Sequence, residues 1–362
     1  MRILMISPFP FFIERGSPIN VHNKLKTLLE AGHQIDLICY PFGKNCFKNK
    51  NLKGKIKIHR VKKLSKRKAP IGISWKKIAN NLNLIRLAYS LIRKNDYHII
   101  HGHEIDGALV GLIAKKLSQR GTPLIYDMHS LPIDRMNKLF LPLQNWVIKN
   151  SELVMGIAPS FEKYCNDNFL FVFDMPIKEK ENFKEKKVKK IRSKIKRPII
   201  FYMGTTEDYQ GIMEVDKHWE KDTGSLVCYS NTDKKFENAI NIKNKGYNPS
   251  DSLMSADILL SPRKYGTNIP LKIYPYLRSG KPMVVTDIPA HDILTHKKNC
   301  IKAKSKPKDI IKKIKELSKK RKLMEKLGKN AKQTYKQNFN KKEYKKRVLD
   351  SYEQIKARHK HN

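Results

Sequence analysis

Three short stretches of this chain hold the residue types that do chemistry. The first, YHIIHGHEIDGALVGL at 97–112, sets His101, His103, Glu104 and Asp106 behind an apolar run. A His-x-His pair invites a metal reading, because neutral imidazoles are ready zinc ligands. Further ligands at the spacing of a hydrolase motif are missing from the sequence, however. Structural histidines at a strand end and a polar edge that binds substrate are the two other readings. The second stretch, PLIYDMHS at 123–130, ends on His129 and Ser130. A histidine at a strand's carboxyl end can bind polar substrate groups or handle a proton; it can equally be a satisfied structural residue. The third, SPRKYGTNIPLKIYPYLRSGKP at 261–282, gathers Arg263, Lys264, Gly266, Thr267, Asn268 and Lys272. Asn268 can cap a helix, Pro270 suits a first helical position, and Lys272 then falls in the first turn at the positive end of the dipole. That reading puts Pro275 inside the helix, where proline costs about 3 kcal/mol unless the helix kinks. An earlier stretch, FPFFIERGSPINVHNKL at 9–25, has the same makings: Gly16 for close backbone approach, Ser17 as cap and Pro18 as first helical residue. Its free amides suit a phosphate, although the same residues also make an ordinary strand-to-helix turn.

The elements around these stretches alternate. RILMIS, QIDLICY, KIKIHRV, YHIIHGH, PLIYDMH and ELVMGIA read as short buried strands. Helix-length segments separate most of them, at about 18–31, 75–93, 107–117 and 133–148, with Gly32 suited to end the first. In the second, Ile78, Leu82, Ile85, Leu87 and Tyr89 are the apolar candidates. The fourth carries Met136, Leu139, Phe140, Leu143 and Trp146, which suits packing on a sheet or lying on a membrane surface. PIIFYMG, SLVCYS, ADILLSP and PMVVTD restart the alternation, and the chain is Lys-rich and helical from Pro307 onward. The pattern predicts an α/β protein of two doubly wound domains, whose ligands sit at the carboxyl ends of the strands. The expected boundaries are an N-terminal domain over 1–173, a basic connection over 174–197, a C-terminal domain over 198–335 and a final helix over 336–362.

Composition bounds the partners. A length of 362 residues suits two domains, and 75 Lys and Arg against 33 Asp and Glu give a formal charge of +42. Such a field favours phosphorylated small molecules, anionic lipid headgroups or nucleic acid, although a compositional excess of surface lysine gives the same number. A nucleic-acid groove would need aromatic residues interleaved with the basic ones, and none is legible. Cys39, Cys46, Cys165, Cys228 and Cys300 are odd in number and lack a two-residue spacing, which suits reduced thiols in the cytoplasm. No run approaches a transmembrane length. The membrane surface remains an address for a peripheral protein.

In their order and spacing these landmarks resemble family-4 glycosyltransferases, retaining enzymes of the GT-B fold, over nearly the whole chain. SPFPFFIERGSPINVHNKLKTLLEAGHQIDLICYP looks like the family's first strand, glycine loop, helix and second strand. IIHGHEIDGALVGLIAKKL and PLIYDMHS resemble its acceptor side, and IIFYMGTTEDYQG resembles the start of its nucleotide domain. LMSADILLSPRKYGTNIPLKIYPYLRSGKPMVVTDIPAHDIL resembles its donor signature. The resemblance implies two Rossmann-like domains facing across a cleft. It makes His129 the catalytic histidine near the reacting sugar. Gly16, Gly204, Arg263, Gly266, Thr267, Asn268 and Lys272 become donor contacts, and His103, Glu104 and Ser130 acceptor contacts. The final helix would cross back to the N-terminal domain. The implied donor is a nucleoside diphosphate sugar, the acceptor a glycan or lipid-linked sugar, and no metal or other cofactor is expected. Departures are also visible: Thr267 and Pro275 stand where the family has two Glu, Thr205 and Gln210 where it has a basic pair, and Arg15-Gly16 where it has two glycines. Arg263, Lys264 and Lys272 are the candidates to restore the missing positive charge. The loss of the Glu pair also keeps open a non-catalytic sugar-nucleotide binder or partner subunit. A sugar-nucleotide epimerase lacks its expected acidic residues.

Overall fold

Two parallel sheets organise the chain, one in each of two compact units: Met1–Ile177 with Lys342–Asn362, and Lys178–Lys341. The computed structural model describes residues 1–13, 16–44, 54–62, 75–131, 140–165, 167–175 and 183–360. Arg15, Cys46, Met136, Leu139 and the 176–182 part of the basic connection lie outside the described residues.

The first sheet runs β3-β2-β1-β4-β5-β6-β7. Its strands are β1 (Arg2–Pro10), β2 (Gln34–Tyr40), β3 (Ile56–Arg60), β4 (Ile99–His103), β5 (Leu124–Met128), β6 (Leu153–Gly156) and β7 (Phe169–Phe171). Helices α1 (Gly16–Glu30), α2 (Trp75–Lys94), α3 (Glu104–Ser118) and α4 (Leu141–Lys149) make the crossovers. Every pairing is parallel. Both faces are therefore covered, which is why Leu4, Ile6, Leu37, Ile100 and Ile125 are all inaccessible and the strands read as unbroken apolar runs. Winding reverses between β1 and β4. At that reversal the carboxyl ends of β1, β4 and β5 open side by side.

The second sheet runs β10-β9-β8-β11-β12-β13 and is also parallel. It comprises β8 (Ile199–Met203), β9 (Ser225–Tyr229), β10 (Ile240–Asn241), β11 (Ile258–Ser261), β12 (Met283–Thr286) and β13 (Ile301–Ala303). Helices α5 (Glu185–Lys194), α6 (Ile212–Lys217), α7 (Pro249–Ser255), α8 (Ile273–Ser279), α9 (Pro307–Ser318) and α10 (Arg321–Asn338) surround it. One core joins Ile200, Leu226, Leu260 and Val284 from the strands to Ile310, Ile314 and Leu327 from the helices. Each such side chain contributes about 1.5–3 kcal/mol by leaving water. Here the reversal falls between β8 and β11, which brings together the loops after Met203 and Ser261. β7, β10 and β13 were not among the expected strands; at two or three residues they are too short to carry a period.

Several local expectations change. The basic stretch before β8 is helical over α5, buries Ile191, and holds its unit through Arg192 and Arg197 to Asp257. In α2 the buried residues are Asn80, Leu84, Ala88 and Ile92, and none of the apolar candidates Ile78, Leu82, Ile85, Leu87 and Tyr89 is buried. Two stripes on this helix have helical spacing, and the one with the smaller side chains takes the close approach. α4 likewise buries Gln144, Val147 and Ile148 and leaves Trp146 exposed. A last helix, α11 (Lys341–Lys360), lies almost wholly within the first unit. It buries Tyr344, Val348, Tyr352 and Ile355, and Arg347 rests over Phe171 and Phe173. Cys39, Cys165, Cys228 and Cys300 are free thiols.

Candidate active site

At the reversal of the first sheet, one buried carboxylate gathers four cationic or imidazole groups. Asp127, next to last in β5, sits fully inside the protein. Its Oδ2 lies 2.9 Å from Lys24 Nζ, 2.8 Å from His103 Nδ1, 3.2 Å from His129 Nε2 and 3.3 Å from His101 Nε2. Lys24 arrives from α1, where its place among Val21, Leu25 and Leu28 on the buried face forces the ammonium inward. It donates to Asn20 Oδ1 at 2.6 Å, and Asn20 in turn bonds Asp174. Tyr352 of α11 closes the far side with its hydroxyl on His101 Nδ1.

The charges settle by competition. Burial opposes ionising Asp127, but Lys24, His129 and His103 hold its carboxyl well below the usual range. Burial pushes His101 below the ordinary histidine value, and burial together with competition from His101 beside it does the same to His103. His129 goes the other way: burial disfavours its charge, yet Asp127 and then Glu104 raise it. His101 and His103 are thus neutral hydrogen-bonding groups, while His129 is the imidazole most inclined to carry a proton. The atoms of His101, His103 and Asp127 lie within 4.8 Å of one another, so the fold supplies the third ligand that the sequence did not show. Lys24 already brings a positive charge to that same carboxylate, and a cation added beside it would be repelled.

Glu104 opens α3 with φ 57°, a left-handed conformation that an ordinary residue adopts only under constraint. Its two oxygens accept from Ser17 Oγ at 3.3 Å and Ser130 Oγ at 3.1 Å. Ser17 therefore is not the cap of α1, which begins at Gly16; its hydroxyl spans to the next loop instead.

The second unit presents a different centre. Lys272 is buried and stands 3.9 Å over the ring of Tyr202, with Gln210 Oε1 3.2 Å from its Nζ. Among the described residues no carboxylate forms an ion pair with it. Burial and the nearby Arg263 lower its amine to about 7. Arg263 is drawn into its own loop, donating to Tyr265 O at 2.9 Å, Asn268 O at 2.8 Å and Asn268 Oδ1 at 2.7 Å. Gly266, at φ 127°, lets this happen: a Cβ there would stand 2.5 Å from the guanidinium. Gly204, at φ 147°, is needed likewise, since a Cβ would meet the Tyr202 hydroxyl at 2.9 Å and Lys272 Nζ at 3.0 Å. Lys264 turns away to Asp208 and Glu214. Beneath the loop, His291 bonds Ser261 and Thr286, and burial drops it to about 3, so it is a neutral brace.

The expected helix start moves. Asn268 does not cap and Pro270 is not helical; α8 begins at Ile273 with Lys272 before it. Pro275 is therefore its third residue, in the turn whose amides have no partner inside the helix. The first amide of α8 to reach back four residues is Tyr276 N, to Lys272 O at 3.1 Å. The helix is seven residues long and has no break to explain.

Family models match both halves of the sequence: Glycosyltransferase Family 4 over residues 16–169 and Glycosyl transferases group 1 over residues 183–334. The chain belongs to the family-4 glycosyltransferases of the GT-B fold. Solved structures agree on the fold. Sucrose-phosphate synthase from Thermosynechococcus elongatus superposes with a TM-score of 0.77 at 14% identity, covering 98% of this chain and 99% of that one. HepE from Anabaena in complex with UDP gives 0.70 at 11%, covering 100% of each. A glycosyltransferase from Rickettsia africae gives 0.70 at 15%, covering 98% of each. No curated protein matches the sequence.

In this glycosyltransferase the predicted residues fall into two groups by unit. Gly16, His103, Glu104, His129 and Ser130 meet around the first sheet's reversal, and Gly204, Arg263, Gly266, Thr267, Asn268 and Lys272 around the second's. Asp127, Lys24, Asn20, Asp174, Tyr352, Tyr202 and His291 escaped notice. A signal for two of them was present: an Asp inside the apolar run LIYDM, and a Lys on the apolar stripe of α1.

Proposed function

We propose that this glycosyltransferase is a retaining enzyme that moves a sugar from a nucleoside diphosphate sugar to a glycan or lipid-linked acceptor, in the synthesis of a cell-surface polysaccharide or glycolipid. One observation carries the donor assignment: Lys272, a buried amine that forms no ion pair with a carboxylate among the described residues, lies at the sheet reversal where such folds bind ligands. A diphosphate supplies the missing counter-charge. HepE, a structure of the same fold, was solved with UDP. As the bond from the anomeric carbon to the phosphate oxygen breaks, its electron pair leaves on the diphosphate, and Lys272 becomes the cation that stabilises it. The acceptor hydroxyl oxygen bonds to that carbon and gives up its proton to the departing phosphate oxygen. His129, held by Asp127, is the group nearest the reacting sugar, and His103, Glu104 and Ser130 face the acceptor. In this reading Asp127 works with Lys24 and not with a metal, and the protein works in the cytoplasm at the inner face of the membrane.

A thermal-shift panel of nucleoside diphosphate sugars tests the donor, since a ligand that binds only the folded state raises its stability. One or a few donors should raise the melting temperature and show transfer or donor hydrolysis. No shift across a broad panel would reject the reading. A second reading, a sugar-nucleotide-binding subunit without turnover, is favoured by Thr267 and Pro275 at the places of the Glu pair. Donor binding with neither transfer nor hydrolysis would select it.

A further inference from the structure

Helix α2 has two apolar stripes, and the fold uses one. Asn80, Leu84, Ala88 and Ile92 face inward. Trp75, Ile78, Leu82, Ile85 and Tyr89, spaced by three and four residues, run along a second side about a third of a turn away. Trp75 is 86% exposed, Leu82 52% and Ile78 43%; Ile85 and Tyr89 are half-buried. These three are among the few large apolar side chains exposed in the described structure, and they share two turns of one helix. Single exposed apolar residues mean little, but a contiguous stripe on a helix marks a contact surface.

The charges beside the stripe say what it meets. All five charged residues of α2 are cationic, Lys76, Lys77, Arg86, Arg93 and Lys94, with no Asp or Glu in its 20 residues. Lys77 turns to Asp106, while Arg86, Arg93 and Lys94 are exposed. A second copy would bring like charges together across the stripe. A single-stranded nucleic acid would want a row of stacking rings, and the outer part of the stripe offers one Trp followed by aliphatic residues. A bilayer of acidic phospholipids satisfies both halves of the surface: Trp75, Ile78 and Leu82 reach below the headgroups while the cations lie against phosphate.

We infer that α2 docks the protein on an anionic phospholipid surface through Trp75, Ile78 and Leu82, with Arg86 and Arg93 against the headgroups. This gives a physical site to the membrane address in the proposed function and rests on that reading for its purpose. The contact itself needs no sugar nucleotide, so it stands or falls apart from donor binding.

Vesicle flotation without donor tests it, using phosphatidylcholine alone and phosphatidylcholine mixed with phosphatidylglycerol. The wild-type protein should float with the mixed vesicles, less so at high salt, and remain below with phosphatidylcholine. The triple variant Trp75→Ser, Ile78→Ser and Leu82→Ser should lose about tenfold or more in bound fraction. These side chains are exposed, so its melting temperature and response to donor should stay those of wild type. In a Trp146→Phe, Trp219→Phe background, the fluorescence of Trp75 should shift to the blue on mixed vesicles. Undiminished flotation of the triple variant would overturn the inference, as would a wild-type protein that never floats. A wild-type dimer in light scattering that the triple variant dissolves would also overturn it, by giving the stripe to a second copy.

Discussion

Asp127 in the first unit and Lys272 in the second are both buried charge-bearing groups at a sheet reversal, but only one has its partners. Asp127 is enclosed by Lys24, His101, His103 and His129. Lys272 has an aromatic ring and an amide oxygen, and its amine responds by falling to about 7. A buried carboxylate with a full set of partners is finished in the free protein and serves to position others. A buried amine without an ion pair among the described residues can still take a counter-charge from a ligand. On the proposed function, the contrast separates a centre that orients from a centre that binds.

The contrast breaks most visibly at Asp127. Asp127→Ala leaves Lys24 charged and buried alone, and should destabilise the first unit by about 3–5 kcal/mol in urea unfolding. Adding Lys24→Met should recover much of that loss, because no lone charge remains. If the single variant unfolds like wild type, the carboxylate is not the hub described.

At Lys272 the expected signs are opposite. Lys272→Met removes a buried group that lacks its counter-ion, so the melting temperature should hold or rise. Affinity for the nucleoside diphosphate should fall by roughly 10–100-fold in calorimetry, the worth of a hydrogen bond to a charged group. Equal affinity in the two proteins would sink the donor assignment.

The same lysine gives a pH signature. Its amine titrates near 7 in the folded protein against an ordinary 10.5. Between those values the unfolded chain holds a proton that the folded one has released, so this group makes stability rise with pH. Its penalty is fullest below 7 and disappears as pH climbs toward 10.5. The stability gap between Lys272→Met and wild type should therefore narrow across that window in parallel melts. Donor binding near pH 8 should take up a proton, visible as a binding enthalpy that changes with buffer, and the Met variant should not show it.

The smallest effect is expected at Pro275. As the third residue of α8 it lacks an amide that had no helical partner, so Pro275→Ala should change stability by about 0.5 kcal/mol or less. A loss near 3 kcal/mol relative to alanine is what a proline in the helix interior would show.

How much of this was legible in the sequence differs by element. β1, β2, β4 and β5 were plain, because strands buried on both faces are unbroken apolar runs. His129, Glu104, Gly204 and Lys272 were marked by lying at strand ends or in glycine loops. In α2, Ile78, Leu82, Ile85 and Tyr89 have the same helical spacing as the buried Leu84, Ala88 and Ile92, and only packing distinguishes the two stripes. Asn268 and Pro270 have the chemistry of an earlier start for α8, yet Arg263 takes both the carbonyl and the side chain of Asn268.

By itself the sequence determined the alternation of strand and helix, the two-domain α/β class and the family. All three follow from local patterns of apolar residues and turn chemistry. Only the tertiary structure decided that Lys24, His101, His129 and Tyr352 share the surroundings of Asp127, and that Lys272 is buried without an ion pair among the described residues. Those are facts about partners up to 251 residues apart in the chain, and burial turns such distances into shifted charges that no local pattern carries.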